Sequence, residues 1–293
     1  MMKNKSRFII KQIFSLFALI RLPNILIISI AFVLTAKYIF VPEKNFWQLL
    51  TNFNFDLLLL ASAVSIASGY IINSFYDYRK DIINRPGITL VEQSLNQKLR
   101  LYLYFFLNFS AVLLAGLISW RAALFFSVYI FLIWLYSHKI QHYAFWGNIL
   151  YAVLSIFPFF AIFLFFKKFD SFIFWHAIFL FLLLLNKNIV KNFVNLKGDL
   201  AQGYQTLPVK LGDQKAKWVL FTAGLLQLIP IYLLLKHPTL GYMKYYFLVF
   251  VCLYYPGLVL FFRTKKIHQY KYFYSLLKFL LVLGVFSIVL VQQ

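Results

Sequence analysis

Acidic residues are scarce. Eight Asp and Glu stand against 29 Lys and Arg among 293 residues, a net charge of +21. Charge of either sign is also thin, at 13%, where a soluble domain carries about a quarter. With 62% hydrophobic residues and a mean hydropathy of +0.78, that poverty excludes a soluble enzyme and a disordered chain. Cysteine is nearly absent. The lone Cys252 lies in an apolar run, which excludes a disulfide-stapled scaffold and a thiolate metal cluster. The five histidines are scattered, and none is spaced with an acid as metal ligands are. There is no P-loop, nucleophile elbow or Rossmann fingerprint. No low-complexity tract or interdomain linker interrupts the chain. The apolar runs are continuous rather than alternating, which argues against a porin-like barrel. No basic stripe is interleaved with exposed aromatics, so the positive charge is not read as a nucleic-acid surface.

What is present is a series of long apolar segments. Nine can be marked, near 22–41, 55–75, 101–118, 121–136, 146–166, 171–190, 217–235, 243–262 and 273–291. Nine helical spans of about 20 residues would use roughly 180 residues, leaving no room for a soluble domain. The expected architecture is an all-α integral membrane protein, a nine-transmembrane-helix bundle forming a single domain over 1–293. Phe, Tyr and Trp, 21% of the chain, cluster near many span ends as interfacial belts do. With the N-terminus on the cytoplasmic side, the inner segments collect 21 Lys and Arg. The outer loops hold six: Lys44, Arg121, Lys167, Lys168, Lys236 and Lys244. That bias predicts a cytoplasmic N-terminus and, with nine spans, a C-terminus outside. The basic start of the chain has charges like those of a signal peptide, but its apolar stretch is too long and has no small-residue cleavage site, so it is read as retained. A bacterial inner (cytoplasmic) membrane is the expected location, with membrane lipids as the surrounding partner.

The two longest inner loops follow spans 2 and 6 and hold five of the eight acids: Asp77, Asp81, Glu92, Asp199 and Asp213. The first runs Asn73-Ser-Phe-Tyr-Asp77-Tyr-Arg-Lys-Asp81-Ile-Ile-Asn84-Arg85-Pro86. Asn73, Asp77 and Asp81 repeat every four residues, one stripe on a helix that extends span 2. Two carboxylates one turn apart repel. A divalent cation resolves the conflict, and Mg²⁺ is typically held by one or two carboxylates plus substrate phosphate oxygens. A juxtamembrane capping cluster neutralised by Arg79, Lys80 and Arg85 explains the same spacing. The second runs Lys187-Asn188-Ile-Val-Lys191-Asn192-Phe-Val-Asn195-Leu-Lys197-Gly198-Asp199 and on to Gly203, Thr206-Leu207-Pro208-Val209 and Gly212. Lys187, Lys191, Asn195 and Asp199 again repeat every four. Polar side chains at a membrane helix end are costly without a use, although snorkelling lysines with asparagine caps would also place them there. The Gly203–Gly212 stretch reads as a turn with a proline stop. The equivalent placing of the two loops, four spans apart, hints at a duplicated unit. Together the two stretches offer oxygen ligands flanked by cations, chemistry suited to a diphosphate, and the apolar spans suit a hydrocarbon tail.

Asn-x-x-x-Asp-x-x-x-Asp after span 2, with Gly-Asp-x-x-x-Gly-x-x-Thr-Leu-Pro-Val-x-x-Gly after span 6, resembles the UbiA superfamily of intramembrane prenyltransferases. The likeness covers most of the chain, since that family has nine helices and two aspartate-rich cytoplasmic motifs. Arg21-Leu-Pro23-Asn24, Tyr136-Ser-His-Lys139 and Gly147-Asn148 are smaller matches. Ile83-Asn84-Arg85-Pro86 and Thr-Leu-Pro-Val are most similar to the branch that makes archaeal-type ether lipids. The resemblance implies prenyl transfer from a polyprenyl diphosphate to a lipophilic acceptor, either a glycerophosphate-type lipid or an aromatic or quinone precursor. Asp77 and Asp81 would be catalytic ligands of Mg²⁺, with Asn73 assisting. Asp199 would belong to a second metal site with Asn195. Arg21, Asn24, Arg85, Lys139, Lys191, Asn192 and Asn195 would line the substrate.

This chain departs from the family pattern at Ser74, Asn192, Asn195 and Lys197, where acids are usual. An amide offers an oxygen without charge, so the second site should bind metal weakly or not at all. Lys197 would then neutralise the diphosphate as a point charge. Two other readings follow: a catalytically reduced relative that binds a prenyl lipid, and an ion-coupled transporter using Asp77 and Asp81. A transporter is expected to place its acids at mid-span. His138 and His142, one turn apart, are candidates for acceptor binding or proton removal.

Overall fold

The structure, a computed structural model, describes residues 12–291. The basic N-terminal stretch, expected to be retained and cytoplasmic, lies outside the described residues. A helix over 12–19 (α1) precedes α2 (Leu22–Thr35), which runs on through a π-turn, Ala36–Phe40. Then come α3 (Phe46–Leu50), α4 (Phe53–Tyr76), α5 (Tyr78–Asn84), α6 (Pro86–Glu92), α7 (Gln97–Ile118) and α8 (Trp120–His138). They are followed by α9 (Ala144–Phe166), α10 (Ser171–Val194), α11 (Leu196–Ala201), α12 (Leu207–Leu226), α13 (Leu228–Leu235), α14 (Lys244–Arg263) and α15 (Ile267–Ser287). Among the described residues there is no β-strand, only an isolated bridge between Tyr143 and Gln205.

Among the described residues, nine helical stretches are long and apolar enough to cross a membrane, the first at Leu22–Phe40 and the last at Ile267–Leu290. This is an integral membrane protein. Their outward faces carry large apolar side chains such as Phe105, Phe106, Phe109, Leu117 and Trp120, stable where the solvent is lipid and every backbone group is paired inside its own helix. Several helices run beyond the apolar runs because polar residues continue the last turns. The third and fourth spans are separated by Ser119 alone, whose extended backbone breaks the helix and whose hydroxyl caps α8 at the Ala122 N–H. The seventh span begins at Leu207, ten residues earlier than the apolar run at 217. Pro208 opens this helix instead of stopping a turn: its missing N–H costs nothing in the first helical turn. A kink follows at Gly212, whose φ of 77° suits glycine.

Contacts divide the described residues into two units, 12–29 with 51–139, and 30–50 with 140–291. In the first, α4 packs on α7 and α8, with Ile71, Ile72, Leu19, Leu95 and Tyr104 forming its core. In the second, α10 is central, touching α9, α12, α13 and α15. Ala152, Ile156 and Leu184 form one core cluster, and Phe179, Phe247, Phe250 and Tyr246 interlock as an aromatic one.

Candidate functional sites at the ends of α4 and α10

The helix α4 stops at Tyr76, and Asp77 is its C-cap (φ −85°, ψ −2°) before α5 begins. The expected unbroken stripe is therefore bent at Asp77. The four-residue register survives the bend, because the N–H groups of Asp77, Asp81 and Arg85 each bond the carbonyl four residues back, at 2.9, 2.8 and 2.8 Å. A carboxylate at a helix C-terminus meets the negative end of the helix dipole. Three neighbours offset this. Asn73 Nδ2 donates to Asp77 Oδ2 at 2.8 Å, and Lys80 Nζ lies 2.9 Å from Asp77 Oδ1. Arg85 reaches Asp81 Oδ2 at 2.5 Å and Glu92 Oε1 at 3.4 Å. Asp77, Asp81 and Glu92 are all buried. Burial works against the Arg85 charge, but the hydrogen bond and field of Asp81, joined by Glu92 and Asp77, hold its pKa above the ordinary value. Burial pushes the Glu92 carboxyl up, with Arg85 and Arg21 opposing.

Arg21 joins this cluster through its field on Glu92 and stacks its guanidinium over Tyr70, 5.0 Å from the ring centre. Its φ of 51° is a left-handed backbone that a non-glycine residue adopts at a cost. Asn24 is exposed in the first turn of α2, and Lys139 is an exposed C-cap of α8. Of the acid neutralisers expected from sequence, Lys80 and Arg85 pair with the acids, whereas Arg79 is exposed.

The second unit repeats the same construction. The helix α10 has 24 residues, as α4 has. It ends at a single capping residue, Asn195 (φ −94°, ψ 6°), before the short α11. The N–H of Asn195 bonds Lys191 O at 2.9 Å and that of Asp199 bonds Asn195 O at 3.0 Å. Asn195 thus occupies the place Asp77 holds in its own unit, Asp199 the place of Asp81, and Lys191 that of Asn73. Asp199 is buried and accepts a hydrogen bond from Thr206 Oγ1 at 3.1 Å. A turn through Gly203, in left-handed backbone (φ 71°), brings Gln205 N to His142 O at 2.9 Å, and Tyr204 stacks on His142. His138 belongs to the other unit, where it packs on Tyr76 and Trp134.

Asn192 is tied into an amide triad. Asn148 Oδ1 accepts from Asn188 Nδ2 at 2.9 Å and from Asn192 Nδ2 at 3.1 Å, while Asn148 Nδ2 holds Ala144 O at 2.5 Å. Gly147 makes this start of α9 fit, since a Cβ there would stand 3.0 Å from the Ile140 carbonyl oxygen. One turn on, Tyr151 lies beneath two lysines, with Lys187 Nζ 5.6 Å and Lys191 Nζ 6.0 Å from its ring centre. Its hydroxyl also hydrogen-bonds Lys187 and Ser155. Tyr151 escapes sequence reading because it is one of 20 tyrosines. The asparagine spacing 188/192 and the Gly147-Asn148 pair were the signals for the triad.

The donor sets differ in their fit to Mg²⁺. The first offers two buried carboxylates one turn apart and an amide, and each carboxylate oxygen has a second lone pair to give. That fits an ion usually completed by substrate phosphate. The second offers one carboxylate and uncharged amides, which does not fit a second ion. Among the described residues no three Asp, Glu, His or Cys side chains cluster as a self-sufficient metal site.

The sequence model of the UbiA prenyltransferase family matches residues 25–283. A digeranylgeranylglyceryl phosphate synthase of Thermococcus gammatolerans is 32% identical over 181 residues, 61% of this chain and 65% of that protein. The enzyme of the same name from Methanosphaera stadtmanae is 29% identical over 168 residues, 56% of this chain and 61% of that one. The chain therefore spans less than two thirds of the length of these relatives. A solved structure concerned with digeranylgeranylglyceryl phosphate synthase in membranes superposes with a TM-score of 0.73 at 19% identity, covering 94% of this chain and 96% of the other. A UbiA homolog from Archaeoglobus fulgidus bound to GPP and Mg²⁺ gives 0.64 at 14% identity, covering 94% and 99%. These relatives are archaeal and lend no support to the bacterial membrane expected from sequence. The match across most of its length makes this chain a member of the UbiA prenyltransferase family.

Proposed function

We propose that the protein transfers a prenyl group, within the membrane, from a prenyl diphosphate to a glycerophosphate-type lipid acceptor. The observation that carries the reading is the buried Asp77–Asp81 pair at the bent end of α4, in a chain of the UbiA family. The relatives named for digeranylgeranylglyceryl phosphate synthesis favour the glycerophosphate acceptor over an aromatic or quinone precursor. The family match passes through both units, which supports one working domain. The basic bias of the inner loops supports a cytoplasmic N-terminus, an outside C-terminus and chemistry on the cytoplasmic face.

In this reading Asp77 and Asp81 would hold Mg²⁺ with help from Asn73. When bound, that ion supplies Lewis-acid stabilisation of the leaving diphosphate. Lys80 and Arg85 fix the carboxylates and add positive charge where negative charge develops. The allylic C–O bond breaks with its electron pair leaving on the diphosphate. The acceptor hydroxyl oxygen then forms the new C–O bond, and its proton passes to the released diphosphate. The apolar, aromatic-rich spans hold the tail. A transporter reading is disfavoured because the acids sit at helix ends. Asn192 and Asn195 favour a second reading, a relative that binds a prenyl diphosphate without transferring it.

Purified protein in lipid, given labelled geranyl, farnesyl or geranylgeranyl diphosphate with glycerophosphate lipids and aromatic acceptors, separates these readings. Mg²⁺-dependent product is expected, reduced about 10²–10³-fold in Asp77→Ala, the loss typical of one preorganised charge-stabilising group. Donor binding without product on any acceptor would favour the second reading. Failure to bind any prenyl diphosphate would sink both.

A further inference from the structure

We propose that the start of α7 holds an anionic lipid by its phosphate, with the Arg100 guanidinium as the main donor. The site uses none of the residues assigned to prenyl transfer and does not depend on that reading.

An unmet charge is the first argument. Arg100 is only 5% exposed, and its Nε and Nη1 have no hydrogen-bond partner. A buried donor left unpaired is costly, more so when it is charged, and a guanidinium cannot escape by losing its proton. Among the described residues no carboxylate lies within ion-pair distance of it. Glu92, the nearest acid in the sequence, pairs with Arg85 at 3.4 Å. The next acid along the chain is Asp170. The Phe75 ring centre, 4.7 Å from Arg100 Cζ, supports the cation but carries no counter-charge.

Its place is the second. Arg100 lines an open cleft with Gln12 of α1, Gln93, Ser94 and Asn96 of the turn between α6 and α7, and Gln97 of α7. A hydrogen bond between Ser15 and Ser94 ties that turn to α1. The first turn of α7 has no acid, Asn96 caps the Lys98 N–H at 2.9 Å, and the positive end of the helix dipole adds to the field. The amides of Gln12, Gln93 and Gln97 supply further donors. A small turn of the long Arg100 side chain brings its unpaired fork to a phosphate, which it matches with two parallel hydrogen bonds. Leu99 also lines the cleft and is exposed, as are Leu90, Val91 and Tyr102 nearby along the chain. At the end of a membrane-crossing helix these apolar side chains suit acyl chains. They favour a lipid headgroup over free phosphate, in the manner of basic pockets beside membrane helices.

The test titrates full-length protein, in a neutral detergent, with phosphatidylglycerol, with phosphatidylcholine of the same acyl chains, and with inorganic phosphate. Native mass spectrometry counts bound lipid, and the melting temperature is followed in parallel. Phosphatidylglycerol is expected to bind and to raise the melting temperature. Arg100→Met should weaken that binding about tenfold or more, the worth of a charge-assisted hydrogen bond, and lose the rise. Without lipid it should melt no lower than the native protein, because an apolar side chain replaces an unpaired buried charge. A purely structural arginine would instead lower the lipid-free melting temperature. Arg100→Lys keeps the charge without the fork, so it should bind several-fold more weakly; it carries the test if Arg100→Met does not fold. Lys98→Gln, exposed beside the cleft, should change binding by about twofold or less. Phosphatidylglycerol binding unchanged in both Arg100 variants would overturn the proposal, as would phosphatidylcholine binding equally tightly. Inorganic phosphate binding that depends on Arg100, with no binding of phosphatidylglycerol, would overturn the lipid as the source and assign the cleft to free phosphate.

Discussion

Glu92 is a buried carboxyl beside an arginine, and burial wins: its pKa lies above the ordinary 4.5, with Arg85 and then Arg21 opposing. A carboxyl whose folded-state pKa is raised binds its proton more tightly when folded. Its stabilising contribution is complete below the unfolded value and is lost as pH rises through the folded one. Glu92→Gln mimics the neutral form and keeps an oxygen for Arg85. The variant should therefore gain on the native protein in melting temperature, measured in detergent, as pH climbs from about 4.5 toward neutral. A gap that stays flat or closes with rising pH would contradict the burial argument. At this scale the sequence was legible where spacing carried the information. Asn73, Asp77 and Asp81 announce themselves by fours, and the register holds through the bend. Tyr151 was illegible because a ring under two lysines is a matter of helix packing. Lys139 and Asn24 came from motif likeness, and both are exposed outside the acid network.

Among the elements, α12 shows best what hydropathy misses. Its polar first turns are helical because Pro208 and the preceding Thr206 open a helix, whereas an apolar scan sees only the run from 217. The kink at Gly212 precedes a buried latch. Lys217 Nζ lies 2.7 Å from Asp213 Oδ2 and 2.5 Å from Thr264 O, and Tyr270 donates to Asp213 Oδ1 at 2.9 Å. This ties the start of α12 to the turn between α14 and α15. Asp213, read as one of five acids of the inner loops, is thus engaged in packing. Removing it leaves the Lys217 ammonium buried with one carbonyl. Asp213→Ala is expected to cost about 1–3 kcal/mol, toward the low end because the Asp213 side chain is 39% exposed. Adding Lys217→Met should recover most of the loss, since replacing both members of a buried pair is often near neutral. A double variant no more stable than Asp213→Ala would show that the lysine does not depend on the aspartate.

At the scale of the molecule, the nine spans among the described residues were legible because lipid demands long apolar helices and leaves their outer faces apolar. Orientation depends instead on a charge asymmetry that no packing interaction enforces. The inner segments hold 21 of the 29 Lys and Arg and the outer loops six, a bias that sets topology during insertion. Three exposed positions test it: Arg79 and Lys197 beside the two motifs, and Lys167 between α9 and α10. In a Cys252→Ala background, which removes the only native thiol, each becomes a single cysteine. A membrane-impermeant maleimide applied to intact cells should label Lys167→Cys directly. Arg79→Cys and Lys197→Cys should react only after the membrane is opened. Labelling of 79 and 197 from outside would put both motifs on the other face and remove the charge argument for cytoplasmic chemistry. Labelling of one but not the other would mean that an odd number of the four spans between them, α7, α8, α9 and α10, do not cross, because four crossings return the chain to the same side.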